Sequence, residues 1–464
     1  MNLENKPKNW CEVKLGKLAK QVTKGTTPTT AGYQYLNVGI PFVKIENINE
    51  YGVNLDSITQ FISEEANQAL LRSQLEDGDI LFSIAGTIGK TALVTQECLP
   101  ANTNQAVAII RGTSSVFDAK FLRQQLRSFS DVIAKNKARG GAMNNISLGD
   151  LKEITLSIAP LAEQHQIATK LDELLAQVDS IKTRLDTIPK ILKRFRQSVL
   201  AAAISGKLTE DFRGNVQLHK AKIENISVLV TKGASPNWQG INYVDDPNQT
   251  LFVTSENVGG MKILLDNPKY VEDEFNEKQQ RSLLMKGDVL TNIVGASIGR
   301  AVVWDKNIKA NINQAVCIIR LDKNKCIADY LCYFLNSPIG IDALIANKVD
   351  VARANVSLGS VKSLELFLPD LSEQTEIIRR VEQLFTYADQ IEQRVKDAQA
   401  RVNQLTQSIL AKAFRGELTA EWREQNPDLI SEENSAESLL KRIQLERTAE
   451  NTKSKTTLKV KKVE

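Results

Sequence analysis

What most constrains this chain is that it says the same thing twice, about 210 residues apart. Gln197-Ser198-Val199-Leu200, ending in Gly206-Lys207-Leu208-Thr209, returns as Gln407-Ser408-Ile409-Leu410, ending in Gly416-Glu417-Leu418-Thr419. Asn145-Ile146-Ser147-Leu148-Gly149 returns as Asn355-Val356-Ser357-Leu358-Gly359, Glu163-Gln164 as Glu373-Gln374, and Glu46-Asn47 as Glu256-Asn257. Gly86-Thr87-Ile88-Gly89-Lys90 is matched by Gly295-Ala296-Ser297-Ile298-Gly299-Arg300, and Asn104-Gln105 by Asn313-Gln314, with the small drift that a loop insertion causes. A period this long exceeds the roughly 20–50 residues of a solenoid unit. It marks a two-copy duplication of a whole domain plus a connecting helix, and with it an internal pseudo-twofold axis. The natural partner of such a molecule is another object with a twofold axis.

The connecting segments carry a heptad. Ile167, Leu171, Leu174, Val178, Ile181, Leu185, Ile188, Leu192, Phe195, Val199 and Ala202 alternate in steps of four and three, an a/d seam of about five heptads. The second copy supplies Ile377, Val381, Leu384, Ala388, Ile391, Val395, Ala398, Val402, Leu405 and Ile409 in the same register. Such a helix is roughly 50 Å long at 1.5 Å per residue. Each offers the other a matching stripe, so the pair reads as one intramolecular coiled coil whose seam residues are core. Pro189 costs about 3 kcal/mol in a helix interior, yet the seam keeps its register through it, so a kink is expected rather than a break. Its counterpart is Gln399.

A globular segment of about 150 residues precedes each helix. Both mix short β-branched and aromatic runs (Pro41 to Ile45, Asp79 to Phe82, Leu251 to Val253, Asp288 to Leu290) with turn signals at Asp77-Gly78 and Lys286-Gly287. Helical patterns follow at Ala119 to Phe129 and Ala328 to Leu335. The fold class is α+β, divided into globular domains 1–158 and 218–368, helical regions 159–217 and 369–425, and a polar tail 426–464 holding one short amphipathic helix.

Composition narrows the function. With 59 Lys+Arg against 55 Asp+Glu the formal charge is +4, which neither demands nor excludes nucleic acid. Five cysteines without a C-x-x-C pair read as reduced thiols of a cytoplasmic protein, and two histidines are too few for a His-built metal site or triad. No signal-like or membrane-spanning run occurs, so no membrane partner is expected. Gly86 to Thr91 ends like a P-loop, but Ile84 stands where the motif needs glycine, and the second copy has Arg300-Ala301 in place of Lys and Ser/Thr. No catalytic constellation is visible, no cofactor or metal is implied, and the reading is a non-catalytic protein.

The two globular segments, each with a G-x-[ST]-P turn, an Asp-Gly-Asp-like turn, G-x-x-G-[KR] and Asn-Gln, resemble the specificity subunit of type I restriction-modification systems. The heptad helices and the two Leu-Thr-x-[DE]-[FW]-Arg endings (Leu208 to Arg213, Leu418 to Arg423) complete the resemblance over about residues 10 to 430. It implies two target recognition domains, each reading one half of a bipartite DNA sequence, joined by an antiparallel coiled-coil spacer that sets the gap. It also implies docking of methyltransferase (modification) subunits, two of them, on the helices, with restriction subunits beyond, and places the amphipathic segment 436–446 on the partner-binding surface. Paired readers are spaced by helical turns of about 34–36 Å, and a stiff rod can set that spacing where a flexible linker could not.

Lys24, Thr26 and Thr27, with Lys232 and Ser235, sit in exposed turns that either face DNA or are solvated. Gly86, Thr87, Gly89 and Lys90, with Ser297, Gly299 and Arg300, either bring backbone N–H groups to phosphate or form a structural turn. Asn104, Gln105, Asn313 and Gln314 could pair with adenine. Residues shared by both copies are poor readers of different half-sites, so these, with Glu46, Asn47, Glu256 and Asn257, are read as holding loops. Base readers belong where the copies diverge: Thr29 to Gln34 and Arg139 to Asn144 in the first domain, Asn237, Trp238, Gln239 and Lys348 to Arg353 in the second. Two other readings stay open: nucleotide chemistry at Gly86 to Thr91, and a duplicated coiled-coil scaffold that binds only protein.

Overall fold

The computed structural model describes residues 6–49, 52–112, 118–137, 145–214, 217, 219–346 and 355–445, with 130–137 as backbone only. The chain divides into two compact units. One is built from both ends of the sequence, Met1–Thr183 with Gln399–Glu464, and the other is contiguous, Arg184–Ala398.

In the first unit the strands are β1 (Cys11–Lys14), β2 (Gln21–Lys24), β3 (Ile40–Val43), β4 (Phe61–Ile62), β5 (Ile80–Ser83), β6 (Thr91–Leu93), β7 (Asn102–Thr103), β8 (Val107–Arg111) and β9 (Thr155–Ile158). β1 and β9 pair antiparallel, Cys11 opposite Ile158, which brings the domain's entry beside its exit. The main sheet is antiparallel in the order β2-β8-β5-β6, and a smaller one runs β4-β3-β7 with a parallel β3/β7 pair. In the second unit β10 (His219–Lys222), β11 (Ser227–Lys232), β12 (Tyr243–Val244), β13 (Thr250–Val253), β14 (Tyr270–Val271), β15 (Val289–Asn292), β16 (Ala301–Val303), β17 (Ala310–Ile312), β18 (Val316–Leu321) and β19 (Glu365–Leu368) repeat the plan. β10 pairs β19, the main sheet runs β11-β18-β15-β16, and the smaller one runs β12-β14-β13-β17 with a parallel β13/β17 pair.

The main sheets are buried on both faces, which is why β5, β8, β15 and β18 are mostly apolar along their length, with Ser83, Arg111, Thr291, Asn292 and Arg320 the polar exceptions near their ends. Alternation reappears in which core each residue joins. Ile80, Phe82, Ala108 and Ile110 pack with Ile167, Leu171, Leu410 and Phe414 of the long helices. Their neighbours Leu81, Val107 and Ile109 pack with Val43 and Ile48 below the smaller sheet. In the second unit Val289, Cys317 and Ile319 join Val199, Ile204, Ile377 and Val381, while Leu290, Val316 and Ile318 join Leu251 and Val258.

The two long helices are Leu161–Ile204 and Leu371–Phe414, 44 residues each. In the first unit the start of the first helix packs against the end of the second. In the second unit the end of the first packs against the start of the second. The pairing is therefore antiparallel. Pro189 lies within the helix, which continues through it. The seam is not uniform: Ile167, Leu171, Val178, Leu192, Val199, Ile377, Val381, Val395 and Ile409 are buried, but Ile181 and Leu405 are each 45% exposed. The expectation that every seam residue is core fails at those two. Two helices alone cannot enclose a side chain, whereas nearer the globular domain a third layer completes the enclosure.

Within the segment 436–446, the apolar face packs on its own unit. Residues 436–445 are helical, and Ala436, Leu439 and Ile443 are buried in the first unit's core with Trp10 and Leu175. Its apolar face is taken by its own chain, so only the outer face remains for a partner.

Candidate nucleic-acid interface

Strand register gathers the repeated motifs at one end of each domain. In the first unit Lys24 lies opposite Ala108, Ser83 opposite Val107, and Val43 opposite Thr103. The Lys24 to Thr27 turn, the Gly86 to Lys90 loop, Glu46-Asn47 and Asn104-Gln105 thus all leave their sheets at the same edge. In the second unit Lys232 faces Cys317, Asn292 faces Val316, and Val253 faces Ile312, which gathers the corresponding four.

The turns are held by close backbone contact. A Cβ on Gly25 would lie 2.2 Å from the carbonyl oxygens of Thr103 and Asn104, and one on Gly233 would lie 1.8 Å from that of Ile312. Only glycine permits this approach. The Thr26 amide donates to Thr103 O at 3.1 Å, its hydroxyl accepts from Arg72 at 3.3 Å, and the Thr27 hydroxyl donates to Gln105 Oε1. Lys24 and Lys232 are exposed, and Ser235 is half-buried. Pro28 and Pro236 are buried, and each opens a one-turn tip. Thr29 and Thr30 are exposed on the first tip; Asn237 and Trp238 are exposed on the second, Trp238 at 83%.

The glycine loops turn through left-handed backbone at Gly86 and Gly89 (φ 62° and 90°) and at Gly295 and Gly299 (φ 82° and 86°). Part of their hydrogen bonding is internal. The Gly89 amide donates to Ser83 O, the Lys90 amide to Ser83 Oγ, and Ser83 Oγ to Thr87 O. Lys90 Nζ donates to Ile45 O at 3.1 Å, which ties its loop to the Glu46-Asn47 turn. In the second copy Asn292 Nδ2 donates to Ser297 Oγ at 3.1 Å, and Arg300 is exposed. A cleft of about 480 Å³ lies here in the first unit, lined by Glu46, Ile48, Thr87, Ile88, Lys90 and Arg127 among others.

The residues expected to hold loops divide in two. Asn47 and Asn257 are buried, accepting from the Lys44 and Thr254 amides and donating to Ser57 O and Leu264 O. Asn104 and Asn313 accept from the amides two residues on, at 3.1 Å each. Glu46, Glu256 and Gln314 are instead exposed, and Glu256 pairs with Lys269 at 3.0 Å. An ionised carboxylate is left in solvent unless burial brings it a partner. Arg139, Asn144, Lys348 and Arg353 lie outside the described residues.

Three polar constellations escaped the sequence reading of roles. Asp79 and Asp288, each 1% exposed, bind Arg111 and Arg320 through paired hydrogen bonds of 2.7–2.9 Å. These bonds hold both guanidinium groups above their ordinary pKa. Ser147 and Ser357 cap the helices Leu148–Lys152 and Leu358–Lys362. Ile146 and Val356 donate to Ile84 O and Ile293 O beside the glycine loops. Most telling is a clasp at the spacer. Buried Glu163 accepts from Trp10 Nε1 at 2.9 Å, Thr419 Oγ1 at 2.7 Å and Arg423. Glu373 accepts from Thr209 Oγ1 at 2.7 Å and meets Arg213 at 3.3 Å. The repeated Glu-Gln and Leu-Thr endings are two halves of one lock, each Glu at a helix start gripping the ending of the other helix.

Among the described residues no cluster of His, Cys, Asp or Glu could hold a metal ion. None of the described helices is long and apolar enough to cross a membrane. Four of the five cysteines are buried, and burial pushes the Cys317 thiol up to about 12.

The type I restriction modification DNA specificity domain family matches residues 7–190 and 241–399. The type I restriction enzyme EcoBI specificity subunit of Escherichia coli is 35% identical over 95% of this chain and 93% of its own length. The EcoKI specificity subunit of Escherichia coli strain K12 is 42% identical over 67% of this chain and 68% of its own. Among solved structures, a chain from work on complex assembly and conformational transition of the type I R-M system covers 89% of this chain at TM-score 0.68 and 19% identity. The HsdS subunit from Thermoanaerobacter tengcongensis covers the same share at TM-score 0.54 and 19% identity, and both share the fold. A domain that occurs twice, two helices that clasp each other head to tail, and matches spanning both copies agree: the chain belongs to the type I restriction-modification DNA specificity family.

Proposed function

We propose that this chain is the sequence-reading subunit of a type I restriction-modification assembly and does no chemistry itself. Its recognition domains, 1–158 and 218–368, each read one half of a bipartite, asymmetric target in double-stranded DNA. The spacer regions 159–217 and 369–425 set the gap between the halves and carry two methyltransferase subunits on their outer faces, with restriction subunits joining through these; 426–464 is a tail. One observation carries the reading. In each domain the same four motifs converge at one sheet edge on a shared backbone frame, while the exposed tips they present differ between copies. Identical frames with unlike tips suit two readers of unlike sequences on an object with a dyad. The near-neutral charge fits a subunit whose partners supply many phosphate contacts.

The test is to co-express the chain with its modification subunit in a methylation-free host and map methyladenine across that host's DNA. A bipartite asymmetric motif with a fixed gap, lost when this chain is omitted, is the expected result. Methylation that persists without the chain would refute the reading.

A further inference from the structure

The two tips are the same device carrying different residues. In the first domain a 3₁₀ turn, Pro28–Ala31, ends at Gly32 in left-handed backbone (φ 85°). In the second, Pro236 leads into a turn at Asn237–Gln239 that ends at Gly240 in left-handed backbone (φ 71°). Both are closed by the same bond: Tyr33 N donates to Pro28 O at 3.0 Å, and Ile241 N to Pro236 O at 3.1 Å. Each is anchored at its base by the glycine pressed on the neighbouring strand, Gly25 or Gly233. The second has a further tie, Lys278 Nζ donating to Gln239 O at 2.8 Å. The two platforms are closed alike but carry different residues: Thr29-Thr30-Ala31 against Asn237-Trp238-Gln239.

Trp238 is the anomaly that gives the platform a purpose. An indole 83% exposed on a pinned turn exposes apolar surface that folding would otherwise hide. Its turn is closed by backbone bonds from Gln239, Gly240 and Ile241, and Trp238 itself is not in left-handed backbone, so strain does not account for its position. It is flanked in sequence by Asn237 and Gln239, whose side-chain amides are able to pair with adenine edges, and the turn follows β11, which ends at exposed Lys232.

We propose that this Pro-to-Gly tip is the specificity-determining element of each recognition domain, and that Trp238 reads the second half-site through apolar contact of its ring with base edges. The inference rests on the DNA-reading function proposed above. A protein partner engaging both domains alike would select like tips; unlike tips on like platforms are what reading two different half-sites requires. At the first tip the hydroxyls and methyl groups of Thr29 and Thr30 take the same place and make the smaller contact.

The experiment uses the full complex of this chain with its modification subunit and methyladenine mapping. Wild-type complex supplies the bipartite motif; if it does not, the underlying function fails and not this inference. Given that motif, Trp238→Ala is expected to relax one or more positions of the second half-site by about 10-fold or more in discrimination, the size of one good base contact. The first half-site and the gap stay unchanged. Trp238→Phe, which keeps an apolar ring, is expected to retain most of the preference. Thr30→Trp should alter the first half-site alone. Two results would overturn the proposal: both half-sites unchanged in Trp238→Ala, or loss of the co-purifying modification subunit with any residual methylation still at the wild-type sequence, which would make the tip a protein contact.

Discussion

Glu163 joins the N-terminal arm to the ending of the second long helix within the first unit. It is fully buried and accepts from three donors, one from the N-terminal arm and two from beyond the second long helix. Removing one partner of a buried charge pair leaves the other uncompensated, at about 3–5 kcal/mol. Glu163→Ala should therefore lower the unfolding free energy measured by denaturant titration by that much, while Glu173→Ala, on the exposed face of the same helix, should leave it within about 0.5 kcal/mol. Gly233 is constrained differently. A methyl group there meets a backbone oxygen that cannot move aside, and overpacking of this kind costs about 1–3 kcal/mol. Gly233→Ala should be destabilised by that amount in the same measurement, and Gly259→Ala less, because the atoms it meets are the flexible end of Leu264.

At the scale of elements, the helices were legible and the locks were not. The four-three spacing from Ile167 to Val199 and from Ile377 to Ile409 marks both long helices because a helix repeats its face within a few residues. The clasp joins residues separated by 256 positions in one case and 164 in the other, and periodicity carries no information over that range. The repetition of Glu163 as Glu373 and Thr419 as Thr209 was the available signal, and only the topology shows that they meet crosswise. Likewise Asp79 and Arg111 sit on strands whose pairing a sequence does not state. A second network belongs to this scale: Arg380 reaches Asp211 at 2.7 and 2.8 Å, Glu376 at 2.7 Å and Leu208 O at 2.8 Å. Hydrogen bonds from Arg379 and Arg380 depress Glu376 from its ordinary 4.5 to about 2. A carboxylate lowered by folding adds stability that is fully present above pH 4.5 and disappears as the pH falls toward 2. The chain should lose stability over that window, less so in high salt because the network opens to solvent at Asp211 and Arg379. Glu376→Gln should flatten the loss in an acid-unfolding series; an unchanged series would remove Glu376 from the account.

At the scale of the whole molecule, the spacer acts as a length standard if the proposed function holds. Deleting one heptad from each long helix, at matched positions, keeps the seam in register and shortens it by about 10 Å, about three base pairs at 3.4 Å per step. Methyladenine mapping should then return the same half-sequences with a smaller gap; altered bases at an unaltered gap would contradict the length-standard view. One further property follows from the way the first unit is assembled out of both ends of the sequence. Domains usually fold in the order in which they are synthesised, N-terminal first, at about 5–20 residues per second. Here the contiguous unit is complete once Ala398 has been made, whereas the unit holding Trp10 waits for Thr419, Arg423, Leu439 and Ile443. The nascent chain thus reverses the usual order, and its first domain stays open-sided for tens of seconds while the second matures. A chain stopped after Ala398 should yield a protease-resistant 184–398 fragment with residues 1–183 degraded, the signature of a protein whose beginning is finished last.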